Sequence, residues 1–98
     1  MAKLKEILTS RAENELENAY YFYNSISTKI GDNFLKQINE CIQSILLYPE
    51  LYPLKFDNYR QAVVKKFPFV IIYTKIDSVI LISAIFHTSK NPKKKFRS

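Results

Sequence analysis

At 98 residues the chain is long enough for one domain with one modest core. Its 47% hydrophobic and 24% charged residues are globular proportions, which argues against a disordered body. A formal net charge of +6 and a pI of about 9.5 point either to an anionic partner (nucleic acid, an acidic protein segment or a membrane surface) or simply to solubility.

The N-terminus, MAKLKEIL, lacks the long apolar segment and small-residue cleavage site of a signal peptide, and no apolar run approaches the roughly 20 residues that cross a bilayer. A cytosolic protein is the expectation. Residues 2–8 predict a short strand whose lysines suit an exposed edge. Ser10-Arg11-Ala12-Glu13 fits a capping box, in which Ser10 and Glu13 satisfy free N–H groups. From there Ala12, Leu16, Ala19, Tyr20 and Tyr23 recur at helical spacing and predict a first helix over about 11–25.

Ser27-Thr28 interrupts this pattern and can cap a second helix. Phe34, Ile38, Cys41, Ile42, Ile45 and Leu46 then follow a helical stripe, the clearest amphipathic signal in the chain. Gly31, the only glycine, predicts a close helix approach or a frayed first turn. The short connection predicts an antiparallel helical hairpin. Cys41 lies on the stripe and is expected to be core filler. With one His and one Cys no Cys/His zinc site can be built, and no P-loop, Rossmann fingerprint or nucleophile elbow occurs; neither a metal nor a cofactor is expected.

Pro49 ends the second helix, and 49–59 is expected as a loop anchored by Tyr52 and Phe56. Three apolar runs follow: Gln61–Val64, Phe69–Thr74 and Val79–Phe86. They are rich in Val, Ile, Phe and Tyr, and their connections are too short for crossover helices. They must therefore pair as an antiparallel meander. The fold class is α+β, in the order β-α-α-β-β-β, with the helices on one sheet face. Along the last run Ile80, Ile82, Ala84 and Phe86 are assigned to the helix side, with Ile38, Ile42 and Ile45 opposite. Val79, Leu81, Ser83, Ile85 and His87 are assigned to the other face. That face is also largely apolar, so a tail, a second copy or a partner chain is expected to cover it. One domain spans 1–98, with a basic tail from about 90 in which Lys90, Lys93, Lys94, Lys95 and Arg97 crowd into the last nine residues.

The residues most capable of chemistry sit at the ends of the meander. His87 titrates near neutrality when unperturbed and can serve as a general acid or base, as a phosphate contact, or as a hydrogen-bonded strand end. Arg60 suits bidentate recognition of phosphate or carboxylate. Lys65 and Lys66 flank the same strand, where solvation is the plainer explanation. Tyr52, Tyr59 and Tyr73 could stack on bases, although core packing is the better default.

The whole arrangement resembles the RelE/ParE superfamily of toxins from type II toxin–antitoxin modules. The residues that carry the resemblance are Pro49 after the second helix, Tyr59-Arg60 opening a strand, the run from Phe67 to Tyr73, and the ending from Ala84 to Pro92. The resemblance implies a plasmid-stabilisation toxin neutralised by a cognate antitoxin. It also implies one of two targets. RelE-like members are mRNA interferases that cut mRNA on the ribosome; ParE-like members bind DNA gyrase and are not ribonucleases. RNA-cutting members commonly carry an arginine just before the apolar run of the third strand, where this sequence has Val70. Arg60 and His87 carry over as catalytic candidates for that branch, but the set is incomplete, and the ParE-like branch is favoured. Arg60, Lys65, Lys66, Ser83, His87 and Lys90 form the expected target- or antitoxin-binding set. A homodimer is a further option, no membrane partner is implied, and the remaining alternative is a non-toxic basic nucleic-acid-binding module.

Overall fold

The structure, a computed structural model, describes residues 4–88. Its elements are β1 (Lys5–Leu8), α1 (Ser10–Ile26), α2 (Thr28–Leu47), β2 (Leu54–Phe56), β3 (Tyr59–Val63), β4 (Phe69–Ile76) and β5 (Val79–His87). They form an α+β fold with one five-stranded sheet in the order β1-β5-β4-β3-β2. Strands β2 to β5 pair antiparallel, and β1 joins β5 in parallel. Parallel neighbours need a long crossover, and the helical hairpin begins it.

Within the stretch expected as a loop, Leu54–Phe56 is instead a strand paired with β3. Asp57, at φ 47°, turns the chain there, and Asp77, at φ 53°, does the same between β4 and β5. Asp tolerates this left-handed conformation better than most residues, because its short side chain can bond locally. The Asp57-Asn58 pair after Leu54-Lys55-Phe56 is the signal that could have revealed the extra hairpin.

The first helix starts one residue earlier than its capping-box pattern predicts. Thr9, not Ser10, is the N-cap: its hydroxyl accepts from the Ala12 N–H at 3.1 Å and donates to the Ser83 carbonyl at 3.1 Å. Only Thr9 lies next to both the helix start and β5, so tertiary contact chooses between two adjacent hydroxyls. At the other end Ser27 closes α1 with its N–H on the Tyr23 carbonyl and opens α2 by accepting from Lys29 and Ile30. A junction of one residue forces the helices into close contact. A Cβ on Gly31 would lie 3.0 Å from the Asn24 Cα, so the glycine permits the approach.

The main core lies between the helices and one sheet face. It joins Ala12, Phe34, Ile38, Ile42 and Ile45 to Ala62, Ile71, Tyr73, Ile80, Ile82 and Ile85. Tyr23, Phe34, Phe67 and Phe69 form an aromatic cluster at one end, with ring centroids 5.0–6.2 Å apart. The phase of β5 differs from the one its alternation predicts. Tyr73 pairs with Ile82 but Ile72 pairs with Ala84, so Ser83 is an extra residue, a β-bulge. Beyond it every side chain changes face. Ile85 turns to the helices, while Ala84 and Phe86, expected on the helix side, join Val70, Ile72 and Tyr59 on the outer face.

Candidate functional site

The candidate residues fall at two ends of the sheet. Arg60 lies opposite Tyr73 at the end near β2. Its guanidinium donates to the Tyr52 carbonyl at 2.7 Å and to the Glu50 carbonyl at 3.4 Å. Beside it the Tyr73 hydroxyl donates to the Pro49 carbonyl at 2.8 Å, and the Ser44 and Tyr52 hydroxyls share a 2.6 Å hydrogen bond. Burial pushes the Tyr73 phenol up to about 12, against the opposing pull of the Arg60 charge. The bend after α2 is thus tied inward by its polar groups while Leu47, Tyr48, Leu51 and Leu54 stand exposed. Tyr52 and Tyr73 are packed and bonded within the fold rather than offered as stacking platforms, and Tyr59 stacks on Phe56 at 5.2 Å. The exposed apolar patch was missed from sequence; its only signal is four large apolar residues spaced around Pro49 and Pro53.

His87 lies at the opposite end. It pairs across the sheet with Phe69, and the two rings meet edge to face at 5.2 Å. The bulge places it on the helix side rather than on the outer face expected for it. The next residue, Thr88, donates its N–H to the Pro68 carbonyl at 2.7 Å. That bond fixes the end of β5 against the turn that carries Lys65 and Lys66, both exposed, with Lys66 at φ 71°. Ser83 belongs to neither end. It sits half-buried at the bulge with its carbonyl engaged by Thr9. Lys90 lies outside the described residues.

The structure therefore brings Lys65, Lys66 and His87 to one end and leaves Arg60 at the other. The β4 partners of Arg60 and His87, Tyr73 and Phe69, are four residue steps apart, roughly 13 Å of strand at about 3.3 Å per residue. Val70 is buried on the outer face between them. A cleft of about 170 Å³ opens between α2 and β3, lined by Gln37, Glu40, Cys41, Ser44, Tyr52, Val63 and Lys65. Cys41 packs in the core at its floor, and burial pushes its thiol up to about 11, away from nucleophilic thiolate. Among the described residues no group of three His, Cys, Asp or Glu side chains could hold a metal ion, and no helix is long and apolar enough to cross a membrane.

On the outer face Val70, Ile72 and Ala84 are buried with Tyr59 and Phe86 against them. Around this centre Ile7, Phe56 and Val63 are about half exposed or more. The face is an apolar surface with a partly open rim.

No curated protein sequence matches the chain. Among solved structures, the chain is similar to one described as the chromosomal ParDE TA system from P. aeruginosa, with 17% identity, a TM-score of 0.75, and coverage of 87% of this chain and 96% of that one. At that identity the likeness establishes the fold. The family model described as the ParE toxin of type II toxin-antitoxin system, parDE, matches residues 7–92, from β1 through every element of the fold and past its last strand. A match over that span makes the chain a member of the ParE toxin family of type II toxin–antitoxin systems.

Proposed function

We propose that this chain is a growth-arresting toxin that binds DNA gyrase, does not cleave RNA, and is held inactive by a cognate antitoxin lying over the outer sheet face. The observation that carries the choice of target is the separation of Arg60 from His87. Cleaving RNA requires activation of the 2′-hydroxyl, a cation on the phosphorane and protonation of the leaving oxygen, all within hydrogen-bond reach of one phosphate. Here the arginine and histidine sit at opposite ends of the sheet, and the guanidinium is already bonded to two carbonyls of the chain. Val70, an aliphatic side chain, stands where RNA-cutting relatives carry a cation. A toxin that works by binding needs shape and charge rather than such a set.

The antitoxin reading is supported by the rim of Ile7, Phe56 and Val63 around the buried centre of the outer face. A partner segment would cover that rim by adding a strand or laying down a helix, with Arg60 and the basic edge beside it. Two purified assays separate the targets. Inhibited supercoiling with intact ribosome-bound mRNA is the expected result. Codon-position cleavage of mRNA, abolished by His87→Ala or Arg60→Ala, would overturn the proposal and make those residues catalytic.

A further inference from the structure

We propose that the open edge of β3 at Val63, with the cleft beside it, is a slot that takes a short extended segment of the antitoxin as an added strand, read by the side chain of Gln37. The proposal rests on the antitoxin reading and names the place where that partner is gripped by its backbone.

Strand β3 is only partly covered. Neighbouring residues of a strand turn their peptide groups to opposite edges. Gln61 donates its N–H to the Pro53 carbonyl at 3.0 Å, on the β2 side, and Val64 donates to the Phe69 carbonyl at 2.9 Å, on the β4 side. Val63 therefore turns its N–H and C=O the same way as Gln61, away from β4. The β2 pairing stops at Arg60, and the chain before Pro53 leaves the edge at Tyr52, whose hydroxyl is bonded to Ser44 on α2. Among the described residues the Val63 N–H has no acceptor. The Val63 carbonyl meets the Cys41 thiol, a weak donor, at 4.0 Å.

A second group in the same cleft lacks a partner. Gln37, Glu40, Cys41 and Ser44 recur at i, i+3, i+4 and i+7, so one stripe of α2 lines the cleft with Val63. Gln37 is 6% exposed, and its carboxamide bonds to no described residue. No enclosed side-chain nitrogen or oxygen is orphaned among the described residues, so the Gln37 amide opens on the cleft. Buried polar groups are normally hydrogen-bonded, and an amide with both donor and acceptor is the complement of a peptide group.

The slot selects its occupant by size and charge. At about 170 Å³ it is smaller than the roughly 300 Å³ at which small-molecule sites begin. Glu40 and Lys65 both line it, so it holds no net charge to attract a phosphate chain. Pro53 bounds it on one side and the turn at Lys66, at φ 71°, on the other. That leaves room for about three residues, roughly 10 Å of strand. A second copy does not fit: in a two-fold pairing about Val63, the β2 of each copy would land on the Lys66 turn of the other. A slim extended segment does fit, and its main chain would supply the missing hydrogen bonds. Val63 also joins the slot to the outer face, because its side chain, 66% exposed, belongs to the apolar rim there. An antitoxin that covers this rim passes the slot.

The test uses the full chain, the protein encoded by the adjacent reading frame, and short peptides tiling that protein. At saturation the Val63 amide should exchange about tenfold more slowly or less, as followed by NMR, and one peptide should reproduce this alone. Val63→Pro removes an N–H that bonds nothing in the fold, and proline is tolerated where a strand edge is open. It should weaken binding of that peptide by about 10–100-fold, the scale of lost strand hydrogen bonds, while Val63→Thr, which keeps the N–H, should change it little. Gln37→Leu should weaken it by about tenfold. Thermal melting shows whether each variant is folded; should Val63→Pro fail to fold, Gln37→Leu and the exchange of the Val63 amide decide. Undiminished binding to folded Val63→Pro, or a Val63 amide that still exchanges freely at saturation, would overturn the slot and leave the antitoxin reading standing. Protection of Val63 that rises with the concentration of the chain alone would assign the edge to a second copy and overturn the proposal. Failure of the adjacent protein to bind at all would remove the antitoxin reading and the slot with it.

Discussion

Arg60 is a case in which residue type misleads about role. Its sequence position, opening a strand beside other cations, suggests phosphate recognition, while its guanidinium bonds to the Tyr52 and Glu50 carbonyls and holds the bend after α2. Nothing in the sequence announces those acceptors, because they are backbone atoms of a bend that exists only once α2 has docked. Arg60→Ala should lower stability by about 1–2 kcal/mol, the scale of a partly solvated charge-assisted hydrogen bond, as read from the urea midpoint. An unchanged midpoint would return the side chain to the pool of free cations. Cys41 was legible, since its place on the helical stripe implies burial. Its thiol is raised to about 11, so the folded state keeps its proton longer than the unfolded chain does. Stability should therefore be full below the ordinary thiol range and fall by about 2–3 kcal/mol as pH climbs through that range toward 11. The raised Tyr23 and Tyr73 phenols act in the same direction at higher pH. Cys41→Ala should flatten the first part of that decline in denaturation curves taken at stepped pH.

Among elements, the helices were readable and the phase of the last strand was not. The α2 stripe has one apolar face, so its spacing alone dictates what is buried. From Val79 to Phe86 both faces of the strand are apolar apart from Ser83, and a period of two then carries no information about where an extra residue enters. The bulge at Ser83 coincides with the end of the β1 pairing, where Thr9 takes the Ser83 carbonyl. Ile85→Ala should cost about 2–5 kcal/mol of stability, the range for a fully buried aliphatic residue. Phe86→Ala should cost less and act mainly on partner affinity, because Phe86 is half-buried on the outer face. The two variants, compared by chemical denaturation and by titration with antitoxin, would expose a wrong face assignment by reversing that order. The helix start offers a second contrast. Thr9→Ala should lose about 1–2 kcal/mol, whereas Ser10→Ala should change the midpoint little, since Ser10 already lies in the first turn.

At the scale of the whole molecule, two layers meet along an unusual seam. Strand β1 covers only the first half of β5; its register ends at Ile82. Past that point α1 completes the edge with side chains. The Glu15 carboxylate accepts the Ile85 N–H at 2.8 Å and is held in turn by Arg11 at 3.0 Å. A side-chain oxygen thus stands where a neighbouring strand would supply a carbonyl. The sequence gives no hint of this, because Glu15 looks like one acid among several on an exposed helix. The consequence is kinetic. Amides in the middle of a sheet exchange their protons with solvent when strands part, but the Ile85 amide is guarded by the helix layer. It should exchange whenever the hairpin lifts from the sheet, even with every strand still paired. Glu15→Ala should speed exchange at Ile85 while leaving Ile71 and Ile72 slow, as followed by amide exchange in NMR. One proton would then time the opening of the seam between helices and sheet, separately from the unfolding of either.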